Sequence, residues 1–282
     1  MQVFYNFKAL KKALVPEKAQ NATIGFVPTM GALHSGHLSL NDFALSQNDL
    51  VVVSIFVNPT QFNNTSDFDT YPRTIESDLE KLTSYPENIL VFVPEILDIY
   101  PNGLISQHFE YGGIENEMEG KFRPGHFDGV GTVLKSFFKL IEPTNAYFGE
   151  KDFQQLQIVK KLVEIEKLPI NIVGCPILRE PNGLAMSSRN KKLTKSQFQE
   201  ASVIYKVLKQ VQIDFGTKNA REIVQWVENE FKNNKFLKLE YFEISDEETL
   251  KPIVKKENQK QYRAFIAVFA DEVRLIDNIA LN

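Results

Sequence analysis

The run Leu50-Val51-Val52-Val53-Ser54-Ile55-Phe56-Val57 constrains this chain more than any other stretch. It lacks the polar alternation of a half-exposed strand, so a strand formed here must be covered on both faces. Shorter runs of the same character occur at Thr23–Val27, Ile89–Val93, Asn145–Phe148 and Asn171–Gly174. Between them, apolar spacing predicts helices from about Gly36 to Ser46, Thr74 to Ser84, Phe127 to Ile141 and Asp152 to Lys167. The last carries Phe153, Leu156, Val159, Leu162 and Val163 at helical intervals. Buried strands alternating with helices predict an α/β fold with a Rossmann-like, doubly wound parallel sheet. Ligands on such a sheet collect outside the carboxyl ends of the strands.

The pattern changes after about residue 180. Thr194-Lys195-Ser196-Gln197 has the form of a capping box and predicts a long helix through about Gln212. A second helix is expected from Ala220 to about Asn233, then strands at Leu237–Ser245, Tyr262–Ala270 and Val273–Ile279. The tight connection Ala270-Asp271-Glu272 makes the last two antiparallel. A smaller C-terminal α+β domain follows, giving domains of 1–180 and 181–282 with the boundary between Ile177 and Lys192.

Composition removes several function classes. A net charge of -4 gives no general attraction for nucleic acid or an anionic membrane surface. No apolar run is long enough to span a bilayer, and Met1–Asn6 lacks the basic and apolar regions of a signal peptide. The single cysteine, Cys175, cannot form an intrachain disulfide, so a cytoplasmic setting is expected.

Four motifs carry chemistry. Pro28-Thr29-Met30-Gly31-Ala32-Leu33-His34-Ser35-Gly36-His37 follows the first strong strand and enters a helix. Its glycines permit close backbone approach, the helix start offers N–H groups and a positive dipole end, and His34 and His37 share one side of the first turn. They suit phosphate oxygens; they could also merely cap the helix, or belong to a zinc site lacking further nearby ligands. Gly149-Glu150-Lys151-Asp152-Phe153-Gln154-Gln155 places a lysine just beyond another strand, although an Asp152/Gln155 capping box explains the same residues. Met186-Ser187-Ser188-Arg189-Asn190 would make a phosphate clamp, or an ordinary solvated loop. Asn58-Pro59-Thr60-Gln61-Phe62 sets two amides beside an aromatic ring, as a small polar ligand needs, or forms a plain turn at Pro59.

Taken together and in this order, PTMGALHSGH, NPTQF, YPRT, RPGHF, GEKDFQQL and MSSRN resemble the pantothenate synthetase (pantoate–β-alanine ligase, AMP-forming) family. The similarity runs over the whole chain. That family belongs to the nucleotidyltransferase superfamily related to class I aminoacyl-tRNA synthetases. The resemblance implies that ATP, pantoate and β-alanine are the substrates and pantothenate the product, on the route to coenzyme A. Magnesium would accompany ATP, with no tightly bound organic cofactor and with a homodimer as the assembly. It further implies that Met30, Gly31, Ala32, Leu33, His34, Ser35, Gly36 and His37 form the ATP phosphate loop, with His37 the proton donor. Gly149, Glu150, Lys151 and Asp152 would border the nucleotide, Leu178 would face adenine, and Met186, Ser187, Ser188 and Arg189 would form the mobile phosphate clamp. Gln61, Gln155 and Asn58 would hold pantoate, Gln61 also β-alanine, and Arg123 would stand close by. Some relatives carry consecutive acidic residues after YPRT near magnesium; Glu76-Ser77-Asp78 leaves Asp78 as the metal neighbour here. No protein nucleophile is implied, so Cys175 is expected to be dispensable. A nucleotidyltransferase acting on a phosphorylated acceptor is the main rival; a non-catalytic nucleotide-binding module and an RNA-binding synthetase relative are others.

Overall fold

The computed structural model describes residues 1–63 and 68–281. Six strands, β1 (Gln2–Phe4), β2 (Ile24–Thr29), β3 (Leu50–Ile55), β4 (Ile89–Phe92), β5 (Asn145–Gly149) and β6 (Asn171–Cys175), form one sheet of order β1-β4-β3-β2-β5-β6 among the described residues. Every pairing in it is parallel. The chain runs outward from β2 through β3 to β4, then returns to place β5 on the other flank of β2. The reversal makes the carboxyl ends of β2 and β5 the topological switch point, where this class of sheet binds its ligands.

The unbroken apolar character of β3 now has its cause. Val51, Val53 and Ile55 belong to a core with Leu33, Leu40 and Ala44, contributed by the chain around helix α2 (Ser35–Gln47). Residues of the opposite parity face the other side, where helix α4 (His126–Ile141) buries Phe127, Val130, Leu134, Phe137 and Ile141 at helical spacing. There Phe137 meets Phe26, Phe56 and Phe92 edge to face at centroid separations of 5.5, 6.2 and 6.1 Å. Helices α3 (Ile75–Leu82) and α5 (Phe153–Ile165) lie close to their expected bounds. Strand β1 and helix α1 (Phe7–Ala19) were not anticipated. Three residues carry too little pattern to signal a strand, and Pro16 lies inside α1 on its exposed side.

Contacts divide the chain into two compact units: Met1–Glu150 with Gln154–Pro176, and Lys151–Phe153 with the chain from Ile177 onward. The second has an antiparallel sheet, β7 (Lys238–Asp246), β8 (Tyr262–Ala270) and β9 (Val273–Ala280). Helices α7 (Ser202–Asp214) and α8 (Ala220–Lys232) pack on it through Ile204, Leu208, Val211, Ile223, Val227 and Phe231. The long helix expected from Thr194 is instead two. The capping box opens α6 (Lys195–Glu200), and the chain tightens at Ala201, whose carbonyl accepts from Ile204 N three residues on. Among the described residues, no helix is long and apolar enough to cross a membrane.

Candidate active site

The loop leaving β2 turns on two consecutive left-handed residues, Gly31 at φ 83° and Ala32 at φ 50°. A Cβ on Gly31 would lie 3.2 Å from both Ile55 Cγ2 and Asp78 Oδ2, so glycine serves both the dihedral and the space. Thr29 Oγ1 donates to the Ser54 carbonyl at 2.8 Å and accepts from Gly31 N at 3.2 Å, fixing the start of the turn. The turn sends Ala32 and Leu33 into the core and brings His34 to the head of α2.

His34 is the N-cap of α2. Its Nδ1 accepts from Gly36 N at 3.1 Å, and His37 Nδ1 accepts from His34 N at 3.3 Å, a reciprocal capping box. With each Nδ1 accepting, a neutral ring carries its proton on Nε2, the atom through which it donates to an oxygen. The rings lie with centroids 4.0 Å apart at the positive end of the helix. Capping and phosphate binding are therefore compatible readings of the same two residues, because they use different nitrogens.

Gln61 ends a 3₁₀ turn, Pro59–Gln61, just beyond β3. Its Nε2 touches Met30 Sδ at 2.7 Å, and its Oε1 accepts from Asn58 Nδ2 at 3.1 Å. Its carbonyl accepts from His126 Nδ1 at 2.8 Å and from Arg123 Nη2 at 3.3 Å. Asn58, 1% exposed, also donates to Gly129 O at 3.1 Å, while its Oδ1 accepts from Tyr100 OH at 2.5 Å and Thr60 Oγ1 at 3.1 Å. All four hydrogen-bonding positions of that amide are filled, two of them tying it to the side chain of Gln61 and to the helix backbone at Gly129. Arg123 likewise bonds the backbone of Gln61. Gly129 allows the turn to approach α4, since a Cβ there would stand 2.5 Å from Thr60 O. Tyr100, His126 and Gly129 complete this support and were not singled out from the sequence. His126 lay inside the RPGHF motif; nothing local marks Tyr100.

Asp78, expected near magnesium, has other partners. It is 0% exposed, and its carboxylate accepts from Ala32 N at 2.8 Å and Leu33 N at 2.7 Å. Thr74 Oγ1 donates to it at 3.2 Å and Lys81 Nζ lies at 3.4 Å. Gly149 and Glu150 stand at the carboxyl end of β5, beside Cys175 at the end of β6. Burial pushes the Cys175 thiol up to about 11, with the charge of Glu150 adding to the shift, so it is a neutral thiol and no nucleophile near pH 7. Two adjacent glutamines on α5 separate cleanly. Gln154 is buried and bonded to Ile114 O, Glu117 O and Glu119 N, whereas Gln155 is half-buried with no side-chain partner among the described residues.

The remaining predicted residues belong to the second unit. The Lys151 carbonyl accepts from Asn278 Nδ2 at 2.9 Å, and its Nζ lies 3.6 Å from Asp152 Oδ2. Phe153 packs on Phe265, with the Arg263 guanidinium 3.9 Å above its ring. Leu178 is part-exposed, and its carbonyl accepts from Met186 N at 3.0 Å. The chain between them doubles back through Gly183 at φ 93°, with Arg179 and Ala185 bridged in antiparallel sense. Arg179 also forms a bidentate pair with Asp277, at 2.6 and 3.0 Å. Burial raises the Asp277 carboxyl above its ordinary value, and the guanidinium of Arg179 opposes that shift. Ser187 Oγ accepts from Arg189 N at 3.2 Å and caps the turn Ser188–Lys192, so this loop is internally braced.

Residues 2–280 match the sequence profile of the family described as Pantoate-beta-alanine ligase. The chain is 56% identical to a pantothenate synthetase of Christiangramia forsetii, and 54% identical to one of Flavobacterium psychrophilum, with 100% of each chain covered. Its fold is similar to the crystal structure of pantothenate synthetase from Thermus thermophilus, with a TM-score of 0.91, 37% identity and coverage of 100% and 99% of the two chains. A pantoate-beta-alanine ligase from Francisella tularensis, solved in complex with beta-gamma ATP and beta-alanine, gives a TM-score of 0.80 at 39% identity, covering 100% and 98%. With matches that run from end to end over both units, the chain belongs to the pantoate–β-alanine ligase family.

Proposed function

We infer that this protein condenses (R)-pantoate with β-alanine at the expense of ATP, releasing AMP and pyrophosphate by way of pantoyl adenylate. The observation that carries this reading is the contact of Met30 with Gln61 at 2.7 Å. Within one unit, a loop built for phosphates touches an amide suited to a hydroxy acid. A pantoate carboxylate oxygen attacks the α-phosphorus and the bond to the bridging oxygen breaks, freeing pyrophosphate. The β-alanine amine then attacks the acyl carbon, AMP leaves, and the amine loses a proton. The Nε2–H groups of His34 and His37, with Lys151, offset negative charge on the transferring and leaving groups. Gln61 and Gln155 hold pantoate, Gln61 also meets β-alanine, and the chain at Leu178 borders adenine. The Met186–Arg189 segment is the clamp that shields the mixed anhydride from water.

Magnesium enters with ATP as part of the substrate. Among the described residues, no three His, Cys, Asp or Glu side chains cluster as a metal cage, so triphosphate and water would supply most of its ligands. The protein is also expected to be a cytoplasmic homodimer.

Purified protein given ATP, pantoate and β-alanine should release AMP and pyrophosphate, not ADP. Leaving out β-alanine should trap pantoyl adenylate, and a phosphorylated acceptor in place of pantoate should give no pyrophosphate. ADP as product, or turnover only with the phosphorylated acceptor, would replace this reading with another transferase on the same fold.

The support of Gln61 yields a separate expectation. Gly129→Ala drives a methyl group against Thr60 O, and such overpacking costs about 1–3 kcal/mol. The turn carrying Gln61 should yield first. Steady-state kinetics should show a raised KM for pantoate with the KM for ATP little changed; equal changes in both would mean that the helix, not the turn, had moved.

A further inference from the structure

We propose that Asp78 is the positioning residue of the phosphate loop, its carboxylate filling the anion hole made by the Ala32 and Leu33 amides before any nucleotide arrives. This rests on the adenylate-forming reading above and adds a part to it.

Consecutive N–H groups around left-handed residues make a concave, electropositive nest, a common cradle for phosphate. Here Gly31 and Ala32 are the left-handed residues, and the amides of Ala32 and Leu33 converge on Asp78 at 2.8 and 2.7 Å. An anion of the protein's own already occupies the nest. Two anions cannot share it, so an incoming triphosphate is met further along, at the His34 and His37 rings and the first turn of α2. The loop is consequently shaped by the chain itself and needs no reordering when ATP binds.

The side chain suits only this task. At 0% exposure its carboxylate meets protein groups alone. Thr74 Oγ1 and Lys81 Nζ, at 3.2 and 3.4 Å, take up its remaining acceptor capacity and part of its charge. Asparagine offers one acceptor oxygen for two amides and would turn an NH2 group toward an N–H. Glutamate is longer by one methylene, beside a Gly31 at which even a single added Cβ would come within 3.2 Å of Asp78 Oδ2. A metal ligand at this place would need oxygens facing a phosphate; these face backbone amides.

The deciding measurements use the full-length protein. In the nucleotide-free wild type, the Ala32 and Leu33 amides should exchange with deuterium about 100-fold more slowly than an open loop. Coil-like exchange that slows only on adding ATP would overturn the proposal. Asp78→Asn should speed exchange at both amides and cut the rate of pantoyl adenylate formation about 10- to 100-fold, as a small misplacement of a reacting group does. Its KM for pantoate and its half-saturating magnesium concentration should stay near wild type. Asp78→Ala should regain rate with added formate, which restores a carboxylate to the nest. Unchanged amide exchange in Asp78→Asn, or a large rise in its magnesium requirement, would assign Asp78 to the metal instead. Wild-type protein that makes no AMP would sink the proposed reaction, while amide exchange would still judge the role of Asp78.

Discussion

The variant His37→Ala is expected to form pantoyl adenylate about 10²–10³ times more slowly than wild type, the usual cost of removing one donor from a developing oxyanion. His37 also takes part in the cap of α2 through Nδ1, so alanine alone confounds catalysis with a lost cap worth about 1 kcal/mol. Two further substitutions separate the atoms. Asparagine places an acceptor near Nδ1 and keeps the bond to His34 N; glutamine places a donor near Nε2 and keeps the outward bond. If Nε2 is the working atom, His37→Gln retains more activity than His37→Asn, while His37→Asn has the higher melting temperature of the two. The reverse order of activities would assign the residue to capping alone. Circular dichroism should remain native in all three, because α2 is held by Leu40 and Ala44 in the core.

The largest loss of stability is expected from Arg179→Ala. Asp277 is 3% exposed, and Arg179 meets it with two bonds; removing one partner of such a pair leaves an uncompensated buried charge, at a cost of about 3–5 kcal/mol. The damage should concentrate in the second unit. It should also reach Lys151, because Asn278, whose N–H donates to Asp277 Oδ1 at 2.8 Å, donates from its amide to the Lys151 carbonyl at 2.9 Å. Calorimetry should show an earlier transition for the second unit, and adding Asp277→Asn to Arg179→Ala should recover part of it by removing the buried charge. A single variant that melts with wild type would show that the pair adds no net stability to the fold.

Much of the architecture was legible because its signals are local. The apolar run of β3, the 3.6-residue spacing of α5 and the Thr194/Gln197 capping box are read from neighbours a few positions apart. Strand β1 and α1 were not legible: one is three residues long, and the other contains a proline. The break at Ala201 was missed for a related reason. Its sequence continues to favour a helix, and the tight turn there accompanies burial of Ala201 and Ile204 in a core made with distant strands.

The same division holds within the site. The sequence alone determined which residue types stand after each strand: two imidazoles around a glycine, an amide after β3, a lysine after β5. Order and spacing were enough to identify the family and its chemistry. Only the tertiary structure decided which partners those residues meet. It turned the imidazoles so that Nδ1 accepts from the backbone at the head of α2, committed Asn58 to Gln61 and Gly129, and set Asp78 against the loop amides. It also tied Lys151 to Asn278 in the last strand. The bonds responsible join residues 45, 71 and 127 positions apart. A hydrogen bond saturates a particular donor and acceptor, and over such separations only the folded chain can say which pairs meet.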